Sequence, residues 1–310
     1  MFTEAQNFAV VQTELDTVFY QEFEYDAGHP GIATANTAEL FKPLYTEHAS
    51  FIQDIFKGSP LFPQIGETQN VPLSTPKVGN KQTILVNDFA QGIEISKNLF
   101  DDNMHGVWAK SVADFALKAR VTQDNTAFGL FRGAFTTTLT ADGSALCSAH
   151  TTLSGSTTTN TTTGASSVLS TTSLNTLIIN LRQQIDQAGV ILGNVPSILL
   201  VPSALFKHAL EITDSALLAD TGNNNINVYR SAYGITVYTS PYLDAAAGGS
   251  DTAWFLLSRN HSVTRLIRQG IQTALRDWSM SNNRTYFYQA NFREAYFVSD
   301  YVGVQGAAGV

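Results

Sequence analysis

The sequence predicts an α+β protein, and three patterns lead to that prediction. From Asn98 to about Ala134, apolar residues recur every three or four positions, which predicts one long amphipathic helix. Between residues 174 and 257, helical patterns alternate with short apolar runs typical of buried strands. The segment from Thr285 to Phe297 is rich in aromatic residues, which favour long strands. The chain therefore combines long helical and long strand segments in one mixed fold.

Composition limits the class of protein. With 310 residues, 44% of them hydrophobic and 14% charged, the chain is globular in composition and long enough to bury a large core. No apolar run approaches the roughly 20 residues of a membrane span, so a soluble protein without membrane contact is expected. The first residues show no basic region followed by an apolar stretch, so no secretory signal is expected. The single cysteine, Cys147, cannot form an internal disulfide, which fits synthesis in a reducing compartment.

Residues 1–60 mix aromatic and acidic side chains and predict an arm with short helices near 3–20 and 37–57. This segment holds nine acidic residues against Lys42 and Lys57, whereas residues 255–310 hold six arginines against three acids. Opposite charges at the two ends could attract within the chain or between copies. Two solvated faces are the simpler alternative.

The strand periodicity of residues 70–97 predicts a hairpin. Val78-Gly79-Asn80-Lys81 contains a Gly-Asn pair of the kind that closes two-stranded hairpins, and the apolar run 83–86 follows it. Four prolines precede this turn, at positions 60, 63, 72 and 76. Because proline cannot donate a backbone hydrogen bond, the segment before the turn can pair only as an edge strand. An isolated hairpin is marginal in water, so we expect this one to lean on a neighbour.

The long helical pattern would extend on the order of 50 Å at about 1.5 Å per residue, more than the roughly 30 Å width of a small domain. Asp101 and Asp102 are predicted to begin the helix, where carboxylates favour the positive end of the helix dipole. A helix of this length suggests partners in other copies of the chain.

Between residues 151 and 173, 16 of 23 residues are Ser or Thr, which predicts a surface loop. A helix follows from Leu174 to about Ile185 and is predicted to end at Gly189. Ser203 is a predicted N-cap for a helix to Ile212. Strands are predicted at 197–201, 235–238 and 254–257.

The candidate chemistry lies in one short segment. Asp142, Ser144, Ser148 and His150 include the residue types of a hydrolytic triad. They fall within nine consecutive residues, whereas a working triad draws side chains from separate elements, and no Gly-x-Ser-x-Gly motif is present. Hydrogen bonding within a turn is the favoured interpretation, and a hydrolase that uses Ser148 and His150 is kept as an alternative.

No metal or phosphate site is predicted. Cys147 and His150 have a metal-like spacing, but a closed zinc site needs two more ligands, and His105, His208 and His261 stand in unrelated contexts. We expect Cys147 to be a small buried apolar residue. No glycine-rich phosphate loop, His-Glu-x-x-His helix or Cys-x-x-Cys pair occurs. We therefore assign no catalytic, cofactor-binding or metal-binding residue and expect a protein that is not an enzyme.

The order of these parts resembles that of the major capsid proteins of tailed bacteriophages, in particular the Mu-like major head subunit group. The resemblance is carried by Asp101-Asp102, the segment Asp142 to His150, the segment Gly193 to Leu205 and the strand Ala253 to Leu257. It spans roughly residues 70–300, and only the order and spacing of the pieces are specific.

This resemblance implies the tailed-phage and herpesvirus capsid fold, with a long spine helix, a peripheral domain, an axial domain, an extended hairpin loop and an N-terminal arm. Both the arm and the hairpin loop would reach over adjacent subunits. The implied divisions are an arm at 1–60, a hairpin loop at 61–97, a peripheral domain at 98–173, an axial domain at 174–275 and C-terminal strands that return to the peripheral domain at 276–310.

The implied function is a major capsid protein that assembles as pentamers and hexamers into an icosahedral head around double-stranded DNA. Its location would be the virion, after synthesis in the bacterial host cytoplasm. Other copies of the chain, separate scaffolding and portal proteins and a decoration protein are the expected partners, and contact with DNA would be nonspecific because the chain lacks a basic stripe.

Two departures and three alternatives accompany the resemblance. The first 60 residues match the family poorly, and the chain begins without the long charged helical segment that scaffolds some relatives. Some relatives join Lys to Asn covalently, and Lys77, Lys81 and Asn80 would be the residues concerned here.

The alternative functions are an encapsulin-like nanocompartment shell, the Ser/His hydrolase and a tail or adhesin subunit.

Overall fold

The computed structural model describes residues 4–24, 40–75, 77–102, 106–216, 226–277, 279 and 283–309. Within these residues the chain forms a four-stranded sheet, a five-stranded sheet and two two-stranded ladders. Helices pack on both larger sheets, so the α+β class is confirmed. His105, one of the histidines considered above, lies outside the described residues.

The long helix begins later than the sequence predicts. A short helix α2 runs over Lys97–Asp101, and the long helix α3 runs over Val107–Arg132. The prediction of one continuous helix from Asn98 is wrong, because Gly106 lies before α3 with φ of 63°, in the left-handed region that a right-handed helix does not pass through. Asp101 therefore ends the short helix and Asp102 follows it, and neither opens the long one.

Helix α3 is covered within its own chain. Its 26 residues extend about 39 Å at about 1.5 Å per residue. The N-terminal half buries Val112 and Phe115 against the four-stranded sheet, and the C-terminal half buries Phe128 and Phe131 against the five-stranded sheet. The helix is long because it serves two cores, so its length does not require partners in other copies.

The four-stranded sheet has the order β1-β11-β12-β4, with β1 Lys42–Tyr45, β4 Asn87–Ser96, β11 Val263–Arg276 and β12 Thr285–Val298. Strand β1 pairs parallel to β11, and the other neighbours are antiparallel. Helix α1, Glu4–Glu24, packs with α3 on this sheet through Leu15 and Phe19. The helix near 3–20 and the strand from Thr285 are confirmed.

The helix predicted near 37–57 is wrong. Residues 37–39 lie outside the described part of the chain, and the rest forms β1 and β2, Ser50–Lys57. The mixture of aromatic and acidic residues suggested a short helix, but β1 pairs with β11 more than 200 residues away. Hydrogen bonds from a distant strand thus override the local pattern.

The five-stranded sheet has the order β7-β13-β10-β8-β9. The strands are β7 Thr161–Thr162, β8 Pro196–Val201, β9 Thr236–Thr239, β10 Trp254–Ser258 and β13 Val304–Ala307. Alternate residues of β8 face different cores: Ile198 and Leu200 contact the layer that contains α3, whereas Leu199 and Val201 contact α4 and α5. The three strands predicted between residues 197 and 257 are confirmed.

Helix α4, Thr171–Gln183, begins with a capping box between Ser170 and Ser173. It ends six residues before Gly189, because the chain turns at Asp186 instead. Helix α5 runs over Phe206–Thr213 after a 3₁₀ turn. Ser203 begins that turn and makes no side-chain cap, so its predicted N-cap role is wrong.

The hairpin has different strands from those predicted. Gly79 and Asn80 lie inside β3, Lys77–Leu85, which pairs antiparallel with β2. The long-range ladder replaces the tight turn expected at Gly79-Asn80. We call β2, β3 and the loop 58–75 between them the hairpin arm.

The Ser/Thr-rich segment is more ordered than a surface loop. Strand β5, Ala149–Thr151, pairs with β6, Thr157–Thr159, and β7 joins the five-stranded sheet. Asn160 and Ser167 are fully buried. Most of the segment is exposed, as predicted, but the expectation of an irregular loop is wrong, because short strands form here and the two buried polar side chains donate to backbone carbonyl oxygens.

Candidate functional site: the Asp142–His150 cluster and the hairpin arm

His150 and Asp142 form a buried pair at the end of the segment that follows α3. His150 is 0% exposed, and its Nδ1 lies 2.7 Å from Asp142 Oδ2. Its Nε2 lies 3.2 Å from the carbonyl oxygen of Leu146, and its ring stacks on Tyr301 at a centroid distance of 4.3 Å. Both ring nitrogens therefore face an acceptor of the protein itself.

The Asp142 carboxylate is held by three donors. Besides His150, the Thr140 hydroxyl donates to Oδ1 over 2.5 Å and the Ser144 backbone N–H donates to Oδ1 over 3.0 Å. Burial works to raise the pKa of Asp142, but these hydrogen bonds outweigh it and hold the pKa below its ordinary value. The cluster is thus a closed turn with a charged carboxylate at its centre.

The predicted triad is not assembled. The structure brings Asp142 and His150 together, but the Ser148 hydroxyl donates to the carbonyl oxygen of Ala145 over 2.8 Å. Ser144 contributes its backbone N–H to Asp142. His150 Nε2, which would activate a nucleophile, faces a carbonyl oxygen in the interior. The geometry supports the turn interpretation over the hydrolase.

The remaining candidates stay apart. Burial raises the pKa of the Cys147 thiol, which suits a small apolar core residue. His208 lies beside Glu211 at 3.7 Å, and His261 accepts from the Val263 backbone N–H. No group of three potential metal ligands occurs in the part of the chain that the structure describes.

The hairpin arm carries the most exposed apolar surface of the described residues. Its inner face packs Phe51 and Ile84 against Phe297 of the sheet. Its outer face and its loop expose large apolar side chains, of which Phe62 is 96% exposed and Leu73 is 95% exposed. The others are Ile52, Phe56, Leu61, Ile65, Val71, Val78 and Leu85. An apolar patch this extended marks an interaction surface.

Sequence reasoning placed the arm in the correct region but missed half of its ladder. Strand β2 was missed because its apolar residues fall in adjacent pairs, Phe51-Ile52 and Ile55-Phe56, and do not alternate with polar ones. Its assignment as a strand depends on pairing with β3.

A second surface lies at α1. An open groove of about 650 Å³ is lined by Val10, Val18 and Trp108, with Glu14 at its side. Lys57 and Lys77 lie opposite each other where the β2–β3 ladder meets the loop of the hairpin arm, whereas α1 carries Glu14, Asp16, Glu22 and Glu24. The two surfaces have opposite charge.

One finding concerns membranes. None of the helices in the described ranges is long and apolar enough to cross a bilayer.

Three solved structures resemble this fold. The capsid of the cyanophage P-SCSP1u matches with a TM-score of 0.58 at 11% identity, over 91% of this chain and 89% of that chain. A chain of Microbacterium phage Oxtober96 matches with a TM-score of 0.54 at 13% identity, over 90% and 91%. The virus-like particle from Pyrococcus furiosus matches with a TM-score of 0.55 at 10% identity, over 95% and 97%. At these identities the likeness shows a shared fold.

A comparison with curated protein sequences gives no match. The family described as phage capsid protein, in contrast, matches residues 80–306, which is most of the chain. Together with the capsid fold, this match shows that the chain belongs to the phage capsid protein family, as a shell-forming subunit.

Proposed function

We propose that the chain is the major capsid protein of a tailed bacteriophage and tiles an icosahedral head, as pentamers and hexamers, around double-stranded DNA. The observation that carries the proposal is the hairpin arm, which projects apolar side chains that its own chain leaves uncovered. Closed shells arise from unlike surfaces that meet around rotation axes, so an arm on one subunit needs a receiving surface on the next.

The elements suggest a division that differs from the sequence-based one. The hairpin arm would span about 50–85 instead of 61–97. The peripheral domain would comprise α1, α3 and the four-stranded sheet, including β11, which a boundary at 275 would separate from its partner β12. The axial domain would comprise the five-stranded sheet with α4 and α5, and β13 would belong to it.

The partners follow from assembly. Separate scaffolding and portal proteins would set the size of the shell and its DNA entrance, a decoration protein could cover its outside, and synthesis would take place in the host cytoplasm. With a net charge of -8, the subunit suits nonspecific contact with DNA over tight binding. We propose no catalytic role, because the Ser148 hydroxyl bonds to the carbonyl oxygen of Ala145 and His150 Nε2 faces that of Leu146.

Electron microscopy of the purified full chain tests the proposal. We expect ring-shaped capsomers or closed shells, whereas a monomer under all conditions would refute it. Nucleic acid inside the shells formed during infection would support a phage head, and an enclosed enzyme would instead support the nanocompartment alternative. Rings or trimers that never close would support the tail-subunit alternative.

The arm provides a sharper test. Phe62→Asp with Leu73→Asp should abolish shell formation and leave the free energy of unfolding of the subunit unchanged, because both side chains are almost fully exposed. Phe62→Leu with Leu73→Ile is the matched control and should assemble. Normal shells from the aspartate variant would show that the arm is not part of the assembly interface.

A further inference from the structure

The hairpin arm rests on its own subunit at Gly79. A Cβ atom at this position would lie 2.4 Å from Leu153 Cδ1 and 2.9 Å from Leu153 Cδ2. The Leu153 side chain therefore packs directly on the backbone of β3, at a spot where only glycine leaves room. Leu153 lies in the turn between β5 and β6, in the Ser/Thr-rich segment.

One further contact and one close approach lie nearby. The Gln82 side chain, on β3, donates through Nε2 to the carbonyl oxygen of Leu139 over 3.0 Å. Gly58, which follows β2, lies close to the Asp186 carboxylate, because a Cβ atom built on it would be 3.7 Å from Oδ2. The arm thus contacts the turns at Leu139 and Leu153 and approaches a third turn at Asp186.

These three turns are joined to one another. Gln187 is buried, accepts the Leu153 backbone N–H through Oε1 over 3.2 Å and donates through Nε2 to Asp300 over 3.3 Å. Asp186 Oδ1 accepts the Ala188 and Val190 backbone N–H groups over 2.9 and 2.8 Å.

The Asp142–His150 pair completes the connection. His150 belongs to β5, directly before the Leu153 turn, and Asp142 belongs to the turn that follows Leu139. The pair therefore links two of the three turns through one buried contact, and Tyr301 packs on it from the segment that contains Asp300.

We infer that these turns form a mount that fixes the direction in which the hairpin arm leaves the subunit, with Leu153 against Gly79 as its positioning contact. The inference rests on the proposed function, in which the arm binds a neighbouring copy. It assigns a role to both the Ser/Thr-rich segment and the Asp142–His150 pair.

A small change in the tilt of the hairpin arm would displace its loop by several ångströms. The eight residues of β2 extend roughly 26 Å at about 3.3 Å per residue, and the loop 58–75 lies beyond them. Gly79 and Gly58 lie near the loop end of this ladder, opposite the Ser50–Leu85 end where the arm leaves the subunit. Without support there, a tilt of about 10° about the Ser50–Leu85 end would displace the loop end by roughly 5 Å, which exceeds the roughly 4 Å range of an apolar contact. A loose mount would therefore carry Phe62 and Leu73 out of reach of a receiving surface.

The experiment measures the direction of the arm without assembly. Spin labels at Glu67→Cys in the loop and Asn175→Cys on α4 report one distance in unassembled full-length subunits, and the buried Cys147 stays unlabelled. We expect a narrow distribution for the parent protein and at least a twofold broader one for Leu153→Ala. Leu210→Ala, a truncation of a partly exposed leucine on α5 and outside the three turns, is the matched control and should leave the width unchanged.

A second pair of variants separates positioning from general destabilisation. Gly79→Val should shift the distance because its side chain collides with Leu153, and adding Leu153→Ala should restore the parent distance by making room. An unchanged width in Leu153→Ala, or no rescue of Gly79→Val, would overturn the mount. If Leu153→Ala broadens the distance distribution and still forms normal shells, the mount is supported but the role of the arm in assembly is refuted. The failure of this inference and the failure of the proposed function are therefore distinguishable.

Discussion

Asp124 provides a test of how α3 is held on the four-stranded sheet. The residue is 4% exposed, and its Oδ2 atom has no hydrogen-bond partner. Burial raises its pKa from 3.8 to about 7, Glu294 adds to the rise, and Arg120 and Arg265 oppose it. Arg265 already donates twice to Glu294, over 2.9 and 2.7 Å, so much of its charge is engaged there.

The magnitude follows from the two pKa values. The folded protein keeps Asp124 protonated up to about pH 7, whereas the unfolded chain loses this proton above 3.8. Stability from this group is therefore full below pH 3.8, falls as the pH rises toward 7 and stays low above it. An interval of about three pH units corresponds to about 4 kcal/mol, which is an upper bound.

Asp124→Asn replaces the carboxyl by a neutral group of the same shape. We expect it to raise the free energy of unfolding by about 2–4 kcal/mol at pH 8 and to change it little at pH 4, where the carboxyl is neutral in the folded protein and still about half protonated in the unfolded chain. Urea unfolding of unassembled subunits at pH 4, 6 and 8 measures this difference. Asp114→Asn, at an exposed position of the same helix, is the control and should change stability by less than about 0.5 kcal/mol at every pH.

The pH dependence decides the outcome. An equal effect of Asp124→Asn at pH 4 and pH 8 would show that the carboxyl has an ordinary pKa, and the argument from burial would fail. A loss of stability at pH 8 would show that the charged form is stabilised by the arginines.

Two further predictions concern the Asp142–His150 pair and one glycine. His150→Leu should cost about 3 kcal/mol at neutral pH because it leaves a buried carboxylate without its main partner. The pKa of Asp142 is held below its ordinary value, so the loss of unfolding free energy in His150→Leu should become smaller as the pH falls below 3.8. A loss that stays constant with pH in urea unfolding would contradict a charged Asp142 held by His150. Gly249→Ala should lower the unfolding free energy by about 1–3 kcal/mol, because its Cβ would lie 1.9 Å from the backbone oxygen of Leu243. Gly270→Ala, whose Cβ would meet open space, should not, and equal effects of the two would refute the steric argument.

Local burial patterns made part of the fold predictable. Strands β8 and β10 are apolar runs covered on both faces, and the core of α3 repeats with helical spacing, so a short window of sequence contains the signal. Strand β11 was missed although Ile271 and Leu275 in its second half alternate with more exposed residues, because this alternation spans only a few residues and its covered face also holds the polar Thr273. Its identity depends on pairing with β12.

The candidate site divides in the same way. The residue types of the cluster could be read from the chain, and their proximity in sequence favoured a turn. The sequence could not show that Ser148 bonds to Ala145 or that Leu153 supports Gly79, because these contacts depend on where separate turns meet.

The sequence by itself determined which segments have the periodicity of helices and buried strands. It also showed that no Gly-x-Ser-x-Gly motif is present and that the order of the segments resembles that of capsid subunits. Tertiary structure alone decided where the long helix begins, which strands form the hairpin arm and why α3 is long. The physical reason is that burial periodicity is a local property, whereas strand pairing and the sharing of α3 between two cores depend on contacts between residues far apart in the chain.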